Sequence, residues 1–388
     1  MSSLPHRLRR LSLATAALAS LWLLIPVAGR ADDTIVVGLR PGALAAAALD
    51  ASGGVQVGAL PKLRALVVRL PAERRRTALR ALRRSHAVRY AEPRRRLHAL
   101  ETSQPDTGRA RQWGLDAVGV GAAWTLTRGA GVVVAVVDTG VAPAPDLAGH
   151  LLPGWNIIAG SAASADDNGH GTHVAGTIAE SEGNGLAEAG VAPEASILPV
   201  KVLDAGGSGS DVDVAAGIVW AADHGAQVVN LSLGGSESST VLADAVAYAR
   251  HAGVLIVAAA GNDGGDVGVP ARLAGVIAVG AVDAALVRAP FSAGGRALDL
   301  VAPGVGIVQQ TLDGNGGYAD QSFSGTSMAA PHVAGVAALV LAAGRATTAT
   351  GVARLLARTA RDLGVAGKDA AYGAGLVRAD AALGVPVP

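Results

Sequence analysis

Between residues 132 and 343 the chain alternates short runs rich in Val, Ile and Ala with longer stretches of helical period. The runs fall at 132–137, 197–202, 228–231, 254–259 and 276–279, and helices are expected over 172–180, 212–223, 241–252 and 327–343. A strand that is apolar on both sides must be covered on both faces, so this order predicts a central parallel sheet between two helical layers, a three-layer α/β fold. In such a sheet, ligands sit beyond the carboxyl ends of the strands, which is where chemistry has to be sought. Of the 388 residues, 50% are hydrophobic and 16% charged, a balance that excludes disorder. There is no cysteine, which excludes disulfides, thiolate catalysis and cysteine-based zinc sites.

The formal net charge of +1 conceals a division at Gln112. Residues 1–111 carry 20 basic and 7 acidic side chains, whereas 112–388 carry 12 and 24. Residues 1–31 open with Arg7, Arg9 and Arg10, continue through an apolar stretch and reach Gly29-Arg30-Ala31, which reads as a secretion signal. A membrane anchor is the alternative, but Ser12, Thr15, Ser20 and Pro26 dilute a stretch already short for a span. From 34 to 93 the pattern is strand, helix, strand, strand, helix, strand, the split βαβ order of a ferredoxin-like module. Its second helix carries Arg74, Arg75, Arg76, Arg80, Arg83 and Arg84 around an apolar side of Leu79 and Leu82. Stacking aromatics are missing there apart from Tyr90, so no nucleic-acid partner is expected. Residues 101–111, with Pro105 and Gly108, read as a linker.

Three places stand out at strand and helix ends. Asp138 closes the first run of the large domain and precedes Thr139-Gly140; by itself such an Asp is more often a helix or turn cap than a catalyst. His170 lies in Asp167-Asn168-Gly169-His170-Gly171-Thr172-His173, where a glycine-flanked loop enters a helix. Two histidines three apart also suit a metal, but no third ligand stands at zincin spacing. Ser327 begins a small-residue helix in Ser324-Gly325-Thr326-Ser327-Met328, where free N–H groups and the positive helix end lie, and where a serine is ordinarily an N-cap.

The chain order Asp, His, Ser is one of three known arrangements of the serine hydrolase triad. Val136-Val137-Asp138-Thr139-Gly140, His170-Gly171-Thr172-His173-Val174-Ala175-Gly176 and Gly325-Thr326-Ser327-Met328-Ala329-Ala330-Pro331-His332 resemble the three signature blocks of the subtilisin-like serine proteases. Asn230-Leu231-Ser232-Leu233-Gly234-Gly235 and Ala259-Ala260-Gly261-Asn262 resemble two further blocks, so the match runs from about Gln112 to Ala382. The resemblance implies Ser327 as nucleophile, His170 as general base, Asp138 as its orienting partner and Asn262 as oxyanion donor, with His173 and His332 as structural histidines. It implies Ser232, Leu233 and Gly234 opposite Gly207, Ser208 and Gly209 as the edges receiving an extended peptide. Gly268-Val269-Pro270 resembles the floor of the pocket before the cleaved bond, which implies a preference for Leu, Phe or Tyr; Asp263 stands at the rim. Asn230 and Ser232 form a glycosylation sequon, but a buried strand leaves it unmodified.

The same resemblance implies structural calcium through Gln112, Asp146 and Asn184, with no cofactor needed for the chemistry. It makes residues 32–100 an inhibitory propeptide of a zymogen, autoprocessed between Leu97 and Thr107 with Leu100 suited to an apolar pocket, and 112–388 the catalytic domain. The product is then a secreted serine endopeptidase, extracellular or periplasmic, monomeric, without a membrane anchor and acting on protein or peptide substrates. An α/β-hydrolase would need G-x-S-x-G and the order Ser, Asp, His, and nucleotide binding would need G-x-G-x-x-G after a strand; neither is present. A catalytically dead homologue would lack a triad member, and none is missing.

Overall fold

The computed structural model describes residues 34–60, 64–93, 106–237 and 239–385, which divide into two units meeting in sequence between Glu101 and Thr102. The expected signal at 1–31 and the expected cut at Leu100 lie outside the described residues. The first unit runs β1 (Thr34–Leu39), α1 (Ala45–Ser52), β2 (Val55–Leu60), β3 (Ala65–Arg69), α2 (Arg75–Arg84) and β4 (Val88–Pro93). Its strands form an antiparallel sheet in the order β2-β3-β1-β4, the ferredoxin-like arrangement expected. Ile35, Val37 and Val68 from the sheet close on Ala48 of α1 and on Ala78 and Leu82 of α2. The six arginines therefore belong to the faces of the second helical stretch that Leu82 does not occupy.

The second unit contains helices α3 (Trp113–Val118), α4 (Val120–Ala123), α5 (His170–Ala179), α6 (Asp211–Asp223), α7 (Thr240–His251), α8 (Thr326–Ala342), α9 (Ala349–Thr359) and α10 (Ala379–Leu383). Its strands are β5 (Val133–Asp138), β6 (Trp155–Asn156), β7 (Ser196–Lys201), β8 (Val228–Leu231), β9 (Leu255–Ala259), β10 (Val276–Val282), β11 (Leu300–Pro303), β12 (Ile307–Leu312) and β13 (Tyr318–Phe323). Seven of these form one parallel sheet in the order β11-β10-β9-β8-β5-β7-β6. The two-sided burial read from the sequence is visible residue by residue. In β5, Val134 and Val136 enter the layer of α5, α8 and α9, whereas Ala135 and Val137 enter that of α6 and α7. In β9, Leu255 and Val257 face the first layer and Ile256 and Ala258 the second. Helix α8 is buried nearly all round, as an evenly apolar helix must be.

Two parts of the sequence behave differently from expectation. Strands β12 and β13 pair as an antiparallel ribbon that the sequence did not announce. Gln309 and Thr311 are the residues that turn inward along β12 beside Ile307, so no apolar run marks the strand. Residues 106–111 pack into the second unit instead of linking it to the first. The Asp106 carboxylate accepts from the backbone N–H groups of Gly183, Asn184 and Gly185 at 3.0 to 3.3 Å, and Gly108 N–H donates to Ala187 O (2.7 Å). The buried Asp106 carboxylate thus gives the loop after α5 acceptors for backbone N–H groups that have no regular secondary-structure partner.

That loop also buries carboxyl groups. Glu180 and Glu188 are inaccessible, and each has one oxygen without a partner. Arg111 donates to the other oxygen of Glu188 (2.7 Å). Burial and the charge of Asp320, opposed by Arg111, push the Glu188 carboxyl up to about 7 from 4.5. The folded protein thus holds a proton that the unfolded chain has released. Stability from this group is complete below about pH 4.5, declines as pH rises and is gone above about 7. Glu188→Gln stays neutral throughout, so its melting temperature is expected to fall less than that of the natural protein between about pH 5 and pH 8. Calorimetry at both pH values checks this, and equal falls would refute it.

Candidate active site

Asp138 is the last residue of β5 and is wholly buried, which places a carboxylate at the carboxyl end of a central strand. Its Oδ1 accepts from Thr139 N–H (2.7 Å) and from His170 Nδ1 (2.7 Å). A carboxylate can only accept, so the imidazole proton is on Nδ1 and Nε2 presents its lone pair. His170 opens α5 immediately after Gly169, whose φ of 103° reverses the chain into the helix. Gly171 then lets α5 touch the turn after Asp138. Its N–H donates to Thr139 Oγ1 (2.9 Å), and a Cβ there would overlap the Gly140 carbonyl oxygen. Burial pushes the His170 imidazole down, but the charge and hydrogen bond of Asp138, with the charge of Asp166, outweigh it and leave the group above its usual 6.5.

Ser327 lies in the first turn of α8. Its hydroxyl donates to the Ser232 carbonyl (3.1 Å), and the Ser232 hydroxyl donates to the Ser327 carbonyl (2.7 Å). The second bond is open because Pro331, four residues on, has no N–H with which to close the helical bond to that carbonyl. Asn230, wholly buried, donates its amide to the Ser232 hydroxyl (2.9 Å), so the sequon residue supports this pair and is shielded from modification. Asn262 Oδ1 accepts from Thr326 N–H (2.8 Å) and from Thr326 Oγ1 (2.9 Å). The backbone N–H can only donate, which fixes Oδ1 on that side and leaves Nδ2 free. No hydrogen bond joins His170 Nε2 to Ser327 Oγ among the described residues, and such bonds commonly form only when substrate is present.

A cleft of about 980 Å³ joins the remaining residues: His170 and Asn168 line it with Gly207, Ser208 and Gly209 on one edge and Ser232, Leu233 and Gly234 on the other. Val269 and Pro270 line it too. Gly268 lies against backbone, its N–H donating to Ala260 O (2.9 Å), and a Cβ would come within 2.7 Å of the Gly235 carbonyl oxygen. Asp263 is exposed and closes its own loop, accepting from Gly265 N–H (3.0 Å). His173 Nε2 donates to Ile307 O (3.0 Å) and Gln321 O (3.2 Å) and its ring stacks on Phe323, fastening the β12–β13 ribbon to α5. His332 Nδ1 donates to Met328 O (2.8 Å). Burial lowers both rings to about 4, so they stay neutral and structural.

Of the residues expected to hold calcium, Asp146 and Asn184 come together, with Asn184 Nδ2 donating to Asp146 Oδ1 (2.5 Å). Gln112 has another task, giving and taking hydrogen bonds with Ala189 backbone at 2.8 and 2.9 Å. The described residues contain no group of three or more His, Cys, Asp or Glu able to hold a metal. Asp146 Oδ2 is nevertheless buried without a partner, and burial lifts its carboxyl to about 6.

Sequence reasoning missed Thr139, Asp166, Lys201 and Thr326. Asp166 caps α5 through Thr172 N–H (2.9 Å) and Oγ1 (2.7 Å). Lys201 was legible only as a charge interrupting an apolar strand.

Comparison with known proteins gives the same picture over most of the chain. A model described as the subtilase family matches residues 129–375, and one described as the fervidolysin N-terminal prodomain matches 31–94. Alkaline elastase YaB of Bacillus sp. (strain YaB) is 46% identical over 284 residues, covering 73% of this chain and 72% of that protein. Subtilisin Savinase of Lederbergia lenta is 48% identical over 273 residues, covering 70% and 97%. A solved protease from Pseudoalteromonas arctica PAMC 21717 superposes with a TM-score of 0.68 at 32% identity, covering 73% of this chain and 99% of that one.

Gly171→Ala is expected to lift α5 from the Asp138 turn and lower kcat/KM by roughly 10²-fold, since displacements near 1 Å at reacting groups cost that much. Hydrolysis of a peptide amide by the folded variant checks it, and an undiminished rate would show that this contact does not set the site.

Proposed function

The chain belongs to the subtilase family and is a serine-type endopeptidase with a fervidolysin-like prodomain, and from that premise we propose that Asp138, His170 and Ser327 form its triad, with Asn262 as oxyanion donor. The 2.7 Å bond from His170 Nδ1 to the buried Asp138 carboxylate carries this reading. With a peptide in the cleft, the Ser327 hydroxyl leaves the Ser232 carbonyl and turns to His170 Nε2. His170 takes the proton as Oγ attacks the carbonyl carbon, and Asp138 stabilises the imidazolium without itself becoming protonated. The oxyanion receives Asn262 Nδ2 and the Ser327 N–H, which has no acceptor within the first turn of α8. His170 next protonates the leaving amine, and water, deprotonated by the same imidazole, releases the acyl group.

The substrate lies extended between residues 207–209 and 232–234, where main-chain hydrogen bonds tolerate many sequences. A large apolar residue, Leu, Phe or Tyr, precedes the cleaved bond and is received beside Val269 and Pro270, which line the cleft. Export follows from the signal at 1–31, to the periplasm or outside the cell; among the described residues no helix is long and apolar enough to cross a membrane. The propeptide spans 32–100 and is cut after Leu100 by the enzyme itself. With those cuts the propeptide carries a net +9 and the mature enzyme −12, an attraction that speeds their association and weakens with salt. Calcium would be held by Asp146 and Asn184, the unpartnered Asp146 oxygen supplying the charge.

Ser327→Ala is expected to accumulate as uncleaved precursor and to lose nearly all hydrolysis; a mature amino terminus in that variant would assign the cut to another protease. Asn262→Ala is expected to lower kcat about 10²- to 10³-fold with KM little changed, the magnitude known for the corresponding amide of subtilisin itself. Chelator should lower the melting temperature, and indifference to it would remove calcium from this reading.

A further inference from the structure

We propose that Lys201 is a positioning residue of the catalytic site, its buried ammonium locking together the turn after Asp138, the loop before His170 and the start of one peptide-binding edge. The inference rests on the triad assigned above and adds to it a residue from a different strand.

Lys201 ends β7 and is the register partner of Asp138 on β5. Side chains alternate along a strand, and Ile197 of β7 enters the α5 and α8 layer, so Lys201 points to the same side as Asp138. Its side chain is 6% exposed. An ammonium has three N–H donors and no acceptor, and all three are spent at 2.7 Å: on Thr139 O, on Leu203 O and on Asp167 Oδ1. Thr139 follows Asp138, Asp167 stands three residues before His170, and Leu203 leads into Gly207, Ser208 and Gly209. The Asp138 carbonyl itself accepts from Val202 N–H (2.9 Å) and Leu203 N–H (3.1 Å), so the same corner is sewn from both sides.

A buried ammonium loses its hydration, and its one anionic partner, Asp167, is 53% exposed and dilutes its own charge in solvent. An apolar side chain of similar length would fill the space without that cost but could not bind three acceptors converging from three segments. Neighbouring bonds hold the same loop, with Asp166 on Thr172 and Asn168 Nδ2 donating to Ala205 O (2.9 Å). Gly171 N–H on Thr139 Oγ1 and Ala142 N–H on Thr172 Oγ1 tie α5 to the turn that carries Asp138, and Lys201 joins that network to the end of β7 and to the Leu203 edge. The titratable groups that act on His170 are Asp138 from β5, Asp166 from the preceding loop and His173 from its own helix, and Asp167 of that loop and Lys201 of β7 join the same corner at the Thr139 carbonyl. Lys201 is the one permanent cation among them, so it opposes the imidazolium, whereas Asp167 favours it.

The test compares Lys201→Met, Lys201→Arg and Asp167→Asn in the full-length, matured enzyme on a peptide amide. Lys201→Met is expected to lower kcat about ten-fold, change KM less than about three-fold and move the acid limb of kcat/KM up by roughly half a pH unit. Asp167→Asn is expected to move that limb down by a few tenths, and Lys201→Arg to return it towards the natural position while restoring kcat only in part. Opposite shifts are a readout that a merely structural role would not give. A folded Lys201→Met variant with natural kcat and an unmoved limb would overturn the proposal, as would shifts of one sign in both variants. If Lys201→Met fails to fold, Asp167→Asn decides alone, and a limb that stays or rises overturns it. Labelling of the natural enzyme with a serine-directed reagent separates the two levels: a label away from Ser327 defeats the triad, whereas a label at Ser327 with unmoved limbs defeats Lys201 only.

Discussion

A parallel sheet hidden on both faces leaves polar chemistry no place except its ends, and this constraint organises the second unit. Val134 to Val137 of β5 serve two opposite cores in alternation, and the first residue with no core to serve is Asp138. Its carboxylate emerges where the loops after β6, β7 and β8 converge, and those loops bring His170, the Gly207 edge and Ser232. The sheet therefore supplies rigidity along its length and function at one rim, the division expected of open α/β sheets.

Convergence at that rim depends on side chains that answer backbone groups from distant segments. Asn230, Ser232 and Ser327 form a relay that begins on β8 and ends on α8, and it exists because Pro331 leaves one helical carbonyl unclaimed. Thr326 aims Asn262, and Gly171 lets α5 rest on the Asp138 turn. Each device fixes a reacting group through another residue's packing, so the precision of the site belongs to the fold and not to the triad alone.

Burial of charge is the cost of this construction. Glu180, Glu188 and Asp146 crowd around the loop after α5, each with an oxygen that has no hydrogen-bond partner among the described residues. Desolvation holds them towards the neutral form, whereas at the catalytic rim the desolvated His170 remains above its usual value because Asp138 faces it. The same loss of hydration acts on both groups, and the neighbouring charge decides the outcome.

The sequence by itself determined the order and type of the main elements, because period-two and helical patterns are local and survive without tertiary context. The boundaries of β8 were legible to the residue, and those of β5, α6 and α8 within one. That Asp138 ends a strand, and that His170 and Ser327 open helices, was legible as well, since a polar residue close to glycine where an apolar run stops marks an element's end. Only the tertiary structure decided that β12 and β13 pair, that residues 106–111 seal the second unit, that Gln112 serves Ala189, and that Lys201 binds three loops. These depend on hydrogen bonds between residues far apart in the chain. No local pattern encodes them, because a buried polar side chain is recognised by its partners and not by its neighbours in sequence.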